Sequence, residues 1–265
     1  MQKLNIRQLR DIQLEILTDI DRFCREHEIS YSLCGGTLLG AVRHKGYIPW
    51  DDDIDIMMVR PDYERFISSY ISKDNYMIDF SKEKGYRETF VKICRKGTLM
   101  VDQLLQRTEL GINIDLFPID GVPSENPQAY VQNIVLLKER IARFCPYYRL
   151  LKQGKMYWFL KFIIKRLINL NFKPILKLKS EFNDILKSNN FIDSEYAGVI
   201  SGSYGVKEIV NKEVFLNFEQ LEFEGRKFSA ISNYDEYLSS IYGDYMILPP
   251  KEKRYNPHNY DAFLL

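Results

Sequence analysis

The sequence predicts an α+β fold: a mixed sheet with flanking helices, then a helical, basic insertion and a C-terminal region. Three observations predict it. Apolar residues recur at helical spacing in the first turns of the chain. Short apolar runs punctuated by Gly, Pro and Asp fill the stretch to about residue 120. A later stretch returns to helical spacing with a surplus of Lys and Arg.

Leu9, Ile12, Ile16, Ile20 and Phe23 alternate with Arg, Asp and Glu, which predicts an amphipathic helix over residues 7–27. Ile29–Cys34 reads as a strand running into Gly35-Gly36, and Thr37–Val42 as one or two helical turns. Ile54–Val59 reads as a strand. Pro61 suits the first position of a helix over Asp62–Ile71. Further strands are expected at Tyr76–Phe80, Thr89–Cys94 and Gly111–Phe117, the last stopped by Pro118. Tyr130–Phe144 is helical by pattern. The basic segment follows as helices broken near Pro174, Phe191–Phe228 is punctuated by Gly without a clear period, and Asp235–Tyr242 reads as a short helix before a polar tail.

With 265 residues, 45% of them hydrophobic, the chain is long enough for a real core. Charge is nearly balanced, 37 basic against 36 acidic residues, so net charge gives no reason to expect nucleic acid. Its distribution is uneven: Arg140 to Ser180 holds eleven Lys or Arg and no acid. Cys24, Cys34, Cys94 and Cys145 are widely spaced, which predicts reduced thiols and no structural zinc. The charged N-terminus lacks a signal-peptide pattern, so a cytoplasmic protein is expected. The most apolar stretch, Tyr157–Leu170, contains Lys161, Lys165 and Arg166 and falls short of the roughly 20 apolar residues of a spanning helix.

The chemistry concentrates in CGGTLLGAVRHKGYIPWDDDIDIMM, residues 34–58. Side chains alternate along a strand, so Asp53 and Asp55 are expected on one face, within reach of the same cation. Oxygen ligands so spaced suit Mg²⁺, with Mn²⁺ as a substitute. An acidic triplet is usually a solvated turn. Here a carboxylate alternates with Ile inside a strand, which costs burial energy unless a cation compensates. Asp115, between Ile114 and Leu116, repeats the pattern and is expected as the third metal ligand or as a base; Asp120, after Pro118, reads as a turn or capping residue. Gly35, Gly36 and Thr37 would let backbone approach a phosphate at a helix start. Arg43, Lys45 and Lys92 are candidate phosphate partners, although each is also a plain surface cation by type. Tyr47 and Trp50 are candidates for an aromatic cage around a quaternary ammonium, although with 18 Tyr and 16 Phe in the chain ordinary packing around the acidic loop is the stronger reading for Trp50.

The run GGTLLGAVRHKGYIPWDDDIDIMMVRPDYERF resembles the LicD family, which includes phosphocholine transferases acting on bacterial surface polysaccharides and is similar to fukutin-type ribitol-phosphate transferases. The resemblance continues through FVKICRKGT (90–98), GINIDLFPIDGVP (111–123) and YLSSIYGDYMILPPKEKRYNPH (237–258). The basic segment is its least typical part. The resemblance implies a nucleotidyltransferase-like catalytic core over 1–125, a helical basic segment over 126–190 and a C-terminal region over 191–265 completing the active site. It implies Asp53 and Asp55 as Mg²⁺ ligands, Gly36 and Thr37 at the phosphates of a CDP-activated donor, most simply CDP-choline, and CMP as leaving group. It also brings Arg254 and His258 of the tail towards the donor. The cysteine cluster of the zinc-binding branch is absent.

The acceptor is then expected to be a sugar hydroxyl of a cell-surface glycan, a teichoic acid precursor or a lipid-linked glycan. Two rivals stand beside this reading: nucleotidyl transfer with pyrophosphate release, and a membrane-docked scaffold with a vestigial site. Lys161, Lys165 and Asn169 form a polar stripe beside Trp158, Phe159, Phe162, Ile163 and Leu167, which suits an interfacial helix on an anionic inner membrane face as well as a helix packed on the protein's own core.

Overall fold

The structure, a computed structural model, describes residues 1–83, 86, 88–102, 110–152, 160, 175–256 and 260–265, with backbone alone for 143–152. The chain is α+β, with a curled mixed sheet and six α-helices among those residues. Helix α1 (Ile6–Glu26) starts at a capping box, where Asn5 and Gln8 exchange side-chain-to-backbone hydrogen bonds of 3.0 Å. Its apolar stripe, Ile16, Leu17 and Ile20, is fully buried under the sheet.

The central sheet runs β2 (Ser32–Leu33), β3 (Asp55–Val59), β7 (Asn113–Val122), β5 (Val91–Arg95), β4 (Asn75–Ile78), with β3 and β7 parallel and the other neighbours antiparallel. The strand expected at 29–34 is reduced to two residues, because the chain turns into α2 (Gly35–His44) directly after them. Helix α3 (Arg60–Ser69) has its Pro in the first turn.

One expectation is overturned. Pro118 does not stop its strand; β7 continues to Val122. Asp115 donates its N–H to Ile54 on the β3 side, so by alternation Pro118 turns its nitrogen to the opposite side. There β5 pairing ends at Leu116, and pairing with β8 (Tyr196–Gly198) begins only at Asp120. No ladder bond is asked of the proline. Asp120 is corrected with it: the residue is no turn cap but a strand residue 1% exposed, held by Arg60 Nε and Nη2 at 2.6 Å each.

The Gly-punctuated region resolves into β8, the 3-10 turn Gly205–Glu208, β9 (Val210–Asn211) and the hairpin β10 (Phe218–Phe223)–β11 (Arg226–Ile231), followed by a helix at Tyr234–Tyr242. Strand β6 (Thr98–Asp102) pairs with β12 (Tyr260–Leu264), and β12 with β1 (Gln2–Lys3). A second apolar cluster joins α4 (Pro127–Lys152) to α5 (Ile175–Lys187), through Ile134, Ile141, Leu178 and Phe182. Lys179, one of the eleven cations of the basic segment, is completely buried there and donates to the carbonyls of Phe80 at 2.8 Å and of Glu83 and Tyr86 at 2.5 Å. Helix α6 (Tyr234–Tyr242) buries Tyr237, Leu238 and Ile241. The stripe from Trp158 to Asn169 and the break near Pro174 lie outside the described residues. Among the described residues no helix is long and apolar enough to cross a membrane.

Candidate active site

A cleft of about 340 Å³ opens where β3, the start of α2 and the 199–208 segment meet. Asp51, Asp53 and Asp55 line it together with Gly35 and Gly36. The strand begins at Asp55, two residues after Asp53, yet both carboxylates reach the same space because Ile54 between them is fully buried. Gly36 is needed for room: a Cβ there would stand 3.0 Å from Asp51 Oδ2. Gly35 opens the helix at φ +50°, a conformation that favours glycine.

The acidic loop is held from behind by α1. Gln13 Nε2 donates to the Asp52 carbonyl at 2.9 Å, and Arg10 donates to the carbonyls of Pro49, at 3.3 Å, and Asp51. Gln13 is 1% exposed and also accepts from Tyr47 Oη at 3.0 Å. Its place in the apolar stripe, four residues after Leu9 and four before Leu17, is the sequence signal for this role.

Across the sheet, Asp55 on β3, Asp115 on β7 and Lys92 on β5 stand in register. Lys92 Nζ donates to Asp115 Oδ1, and to Asn113 Oδ1 at 2.9 Å. Burial pushes the Asp55 carboxyl well above the carboxylate range, and the charge of Asp115 adds to it while Lys92 opposes it. Burial works against the Lys92 ammonium too. Asp115 outweighs it and holds the lysine charged.

The remaining expected residues fall in different places. Thr37 is buried and accepts the Asp55 N–H at 2.8 Å, so it anchors the start of β3. Arg43 donates to the Tyr245 carbonyl at 2.6 Å and to His44 Nε2 at 2.9 Å, which ties α2 to the chain after α6. Lys45 is exposed at the left-handed end of α2. Arg254 packs over Trp50, 5.7 Å from its ring centre, and Asn256 donates to Asp52 Oδ2 at 2.7 Å, so the tail meets the acidic loop. His258 lies outside the described residues. Tyr47 cannot serve a cage: it is a core residue packed on Phe223 at 5.0 Å.

Glu208 and Tyr204 line the cleft and gave no signal in the sequence, because they arrive from a segment without periodicity. Glu208 is 2% exposed and accepts from Tyr237 Oη at 3.0 Å. Burial pushes its carboxyl up to about 7, with the Tyr237 hydroxyl and Lys138 pulling it back. Tyr204 shares a 2.8 Å hydroxyl–hydroxyl hydrogen bond with Tyr242, and Phe117 supplies a second aromatic wall.

The donor set suits a hard divalent cation, since burial raises the cost of a charged Asp55 carboxylate and an ion beside it would offset that cost. Among the described residues no three His, Cys, Asp or Glu side chains form a metal-holding group. A cation here would therefore take Asp53 and Asp55 from the chain and its other ligands from substrate and water.

Residues 28–129 match the family described as LicD/FKTN/FKRP, nucleotidyltransferase domain. Over 272 aligned residues, covering 100% of both chains, the sequence is 33% identical to the lipopolysaccharide cholinephosphotransferase LicD of Haemophilus influenzae. The chain belongs to the LicD family. It is a LicD-type phosphotransferase. Over shorter stretches the chain is also similar to two uncharacterized proteins: 44% identical over 87 residues to one of Rickettsia prowazekii, covering 32% of this chain and 30% of that one, and 35% over 79 residues to one of Rickettsia typhi, covering 30% and 23%.

Proposed function

We propose that this LicD-family enzyme transfers phosphocholine from a CDP-activated donor, CDP-choline, to a sugar hydroxyl of a cell-surface glycan and releases CMP. The full-length relationship to a cholinephosphotransferase carries this reading. The cleft supports it, lined by the carboxylates of Asp51, Asp53 and Asp55 and by the rings of Tyr204 and Phe117, groups suited to a diphosphate–cation pair and a quaternary ammonium. The core would be nucleotidyltransferase-like, and the protein would work at the cytoplasmic face of a membrane, held there by the basic segment.

The acceptor oxygen attacks the phosphorus bearing choline, the bond from that phosphorus to the CMP oxygen breaks, and the hydroxyl proton passes to a carboxylate. Glu208 suits that last role, being the cleft carboxyl whose affinity for a proton is poised near neutrality. Asp53 and Asp55 would hold Mg²⁺, which supplies positive charge to the diphosphate and the leaving phosphate. Asp115 and Lys92 fix the charge behind them. Gly35 and Gly36 leave backbone N–H groups near the phosphates.

The family description, a nucleotidyltransferase domain, favours one second reading, transfer of a nucleotide with release of pyrophosphate. The leaving group decides between them. A thermal-shift panel of CDP-choline, CDP-ethanolamine, CDP-glycerol and CDP-ribitol with Mg²⁺ tests the donor, since a ligand that binds the native state raises Tm by mass action. CDP-choline should give the largest rise, and Tyr204→Ala should erase its lead over CDP-ethanolamine. Equal shifts for all four, or pyrophosphate as product, defeats the proposal.

A further inference from the structure

Helix α6 grips the 204–208 segment through three side chains. Tyr237 Oη donates to Glu208 Oε2 at 3.0 Å, Ser240 Oγ donates to the Lys207 carbonyl at 2.7 Å, and Tyr242 shares its 2.8 Å hydroxyl–hydroxyl bond with Tyr204. Of the three, Tyr237 is the one that meets the carboxylate.

Tyr237 is 0% exposed, and the other neighbour of its hydroxyl is Cys34 Sγ at 3.4 Å. A phenol has one proton to give. With that proton committed to Glu208, the thiol is the donor in the second contact, so sulfur donates to phenol and phenol to carboxylate. Burial pushes both the Cys34 thiol and the Tyr237 hydroxyl well above their ordinary values, so both keep their protons near neutral pH.

This arrangement divides the two oxygens of Glu208. Oε2 is tied to α6. Oε1 lies beside Gly202, where an added Cβ would stand 2.7 Å from it, and Gly202 and Glu208 both line the cleft that holds Asp53 and Asp55. The other charged or titratable groups facing Glu208 are Lys138 from α4, Tyr204 from the segment before it and Asp55 from β3. Lys138 donates instead to the carbonyls of Ser201, at 2.7 Å, and Gly202.

We propose that Tyr237 is the positioning residue of Glu208: its hydroxyl fixes Oε2 and stabilises the ionised carboxylate, which leaves Oε1 to the cleft to receive the acceptor's proton. The final step rests on the reading of Glu208 as proton acceptor; the hold of Tyr237 on the carboxylate does not.

The test titrates Glu208 directly, by carbon NMR of the full chain in EDTA, labelled at the glutamate carboxyl carbons, the Glu208 signal being the one lost in Glu208→Gln. Tyr237→Phe removes a donor to the charged form and should move the titration midpoint upward by about one to two pH units. 3-Fluorotyrosine in place of Tyr237 is a stronger donor of the same shape and should move it downward, and it reads the proposal even where Tyr237→Phe does not fold. Ser240→Ala loosens the same turn and should lower the urea midpoint while leaving the Glu208 titration in place. Shifts of one sign for both replacements at 237, no shift for either, or an equal shift in Ser240→Ala overturns the proposal. With CDP-choline and Mg²⁺, the acidic limb of kcat/KM should follow the NMR midpoint at an unchanged KM for CDP-choline. A limb that stays while the midpoint moves counts against Glu208 as the proton acceptor and leaves the hold of Tyr237 on it standing.

Discussion

Asp55 and Asp115 stand directly opposite each other on the parallel strands β3 and β7, two carboxylates paired in a sheet where like charges repel. Lys92, opposite Asp115 on β5, makes the arrangement tolerable by pairing with Asp115, and burial together with the Asp115 charge raises the Asp55 carboxyl.

Asp53→Asn and Asp55→Asn should each abolish transfer while leaving the fold intact. The Asp55 carboxyl is raised in the folded state, so its contribution is most favourable at low pH and is lost as pH rises through the folded value. In EDTA, Asp55→Asn should therefore melt higher than wild type, by a margin that grows with pH. Added Mg²⁺ should raise the wild-type Tm and leave both variants unmoved. Turnover near the wild-type rate in either variant at saturating Mg²⁺ would sink the metal assignment.

Lys92→Met should destabilise the protein by about 3–5 kcal/mol, because it strands a buried carboxylate. Adding Asp115→Asn to it should recover part of the loss. Urea denaturation of the two single variants and the double variant measures the coupling, and strict additivity would show that the pair acts independently.

Glu208 predicts a pH profile. As the proton acceptor it must be ionised, so kcat/KM should fall below about pH 7 with a single acidic limb. Glu208→Gln should lower the rate at pH 8 by roughly 10²–10⁴-fold and flatten that limb. An unchanged limb in the variant assigns the ionisation elsewhere.

Asp120→Asn serves as the contrasting case. Its carboxylate grips Arg60 at 2.6 Å on two oxygens, away from the cleft, and Arg60 reaches on to Glu64 at 3.1 Å. The variant should lose about 3–5 kcal/mol of stability, read by denaturation, yet keep its kcat at a temperature where it is folded.

Residues 34–58 alone marked out the stretch that lines the candidate cleft, because a carboxylate repeated among apolar strand residues is costly without a partner and so carries information in one dimension. The helices at either end of the core and the pairing of Asp53 with Asp55 were legible for the same reason: period and alternation are local. Which residue neutralises Asp115, whether Pro118 ends or spans its strand, and that Tyr47 is core while Tyr204 lines the cleft were decided only by tertiary structure. Glu208 lies 153 residues beyond Asp55 in number, on a 3-10 turn with no period to betray it. Its burial, and with it a carboxyl poised near neutrality, exists only once β8 and α6 pack around it, since desolvation is a property of the folded surroundings and not of the residue.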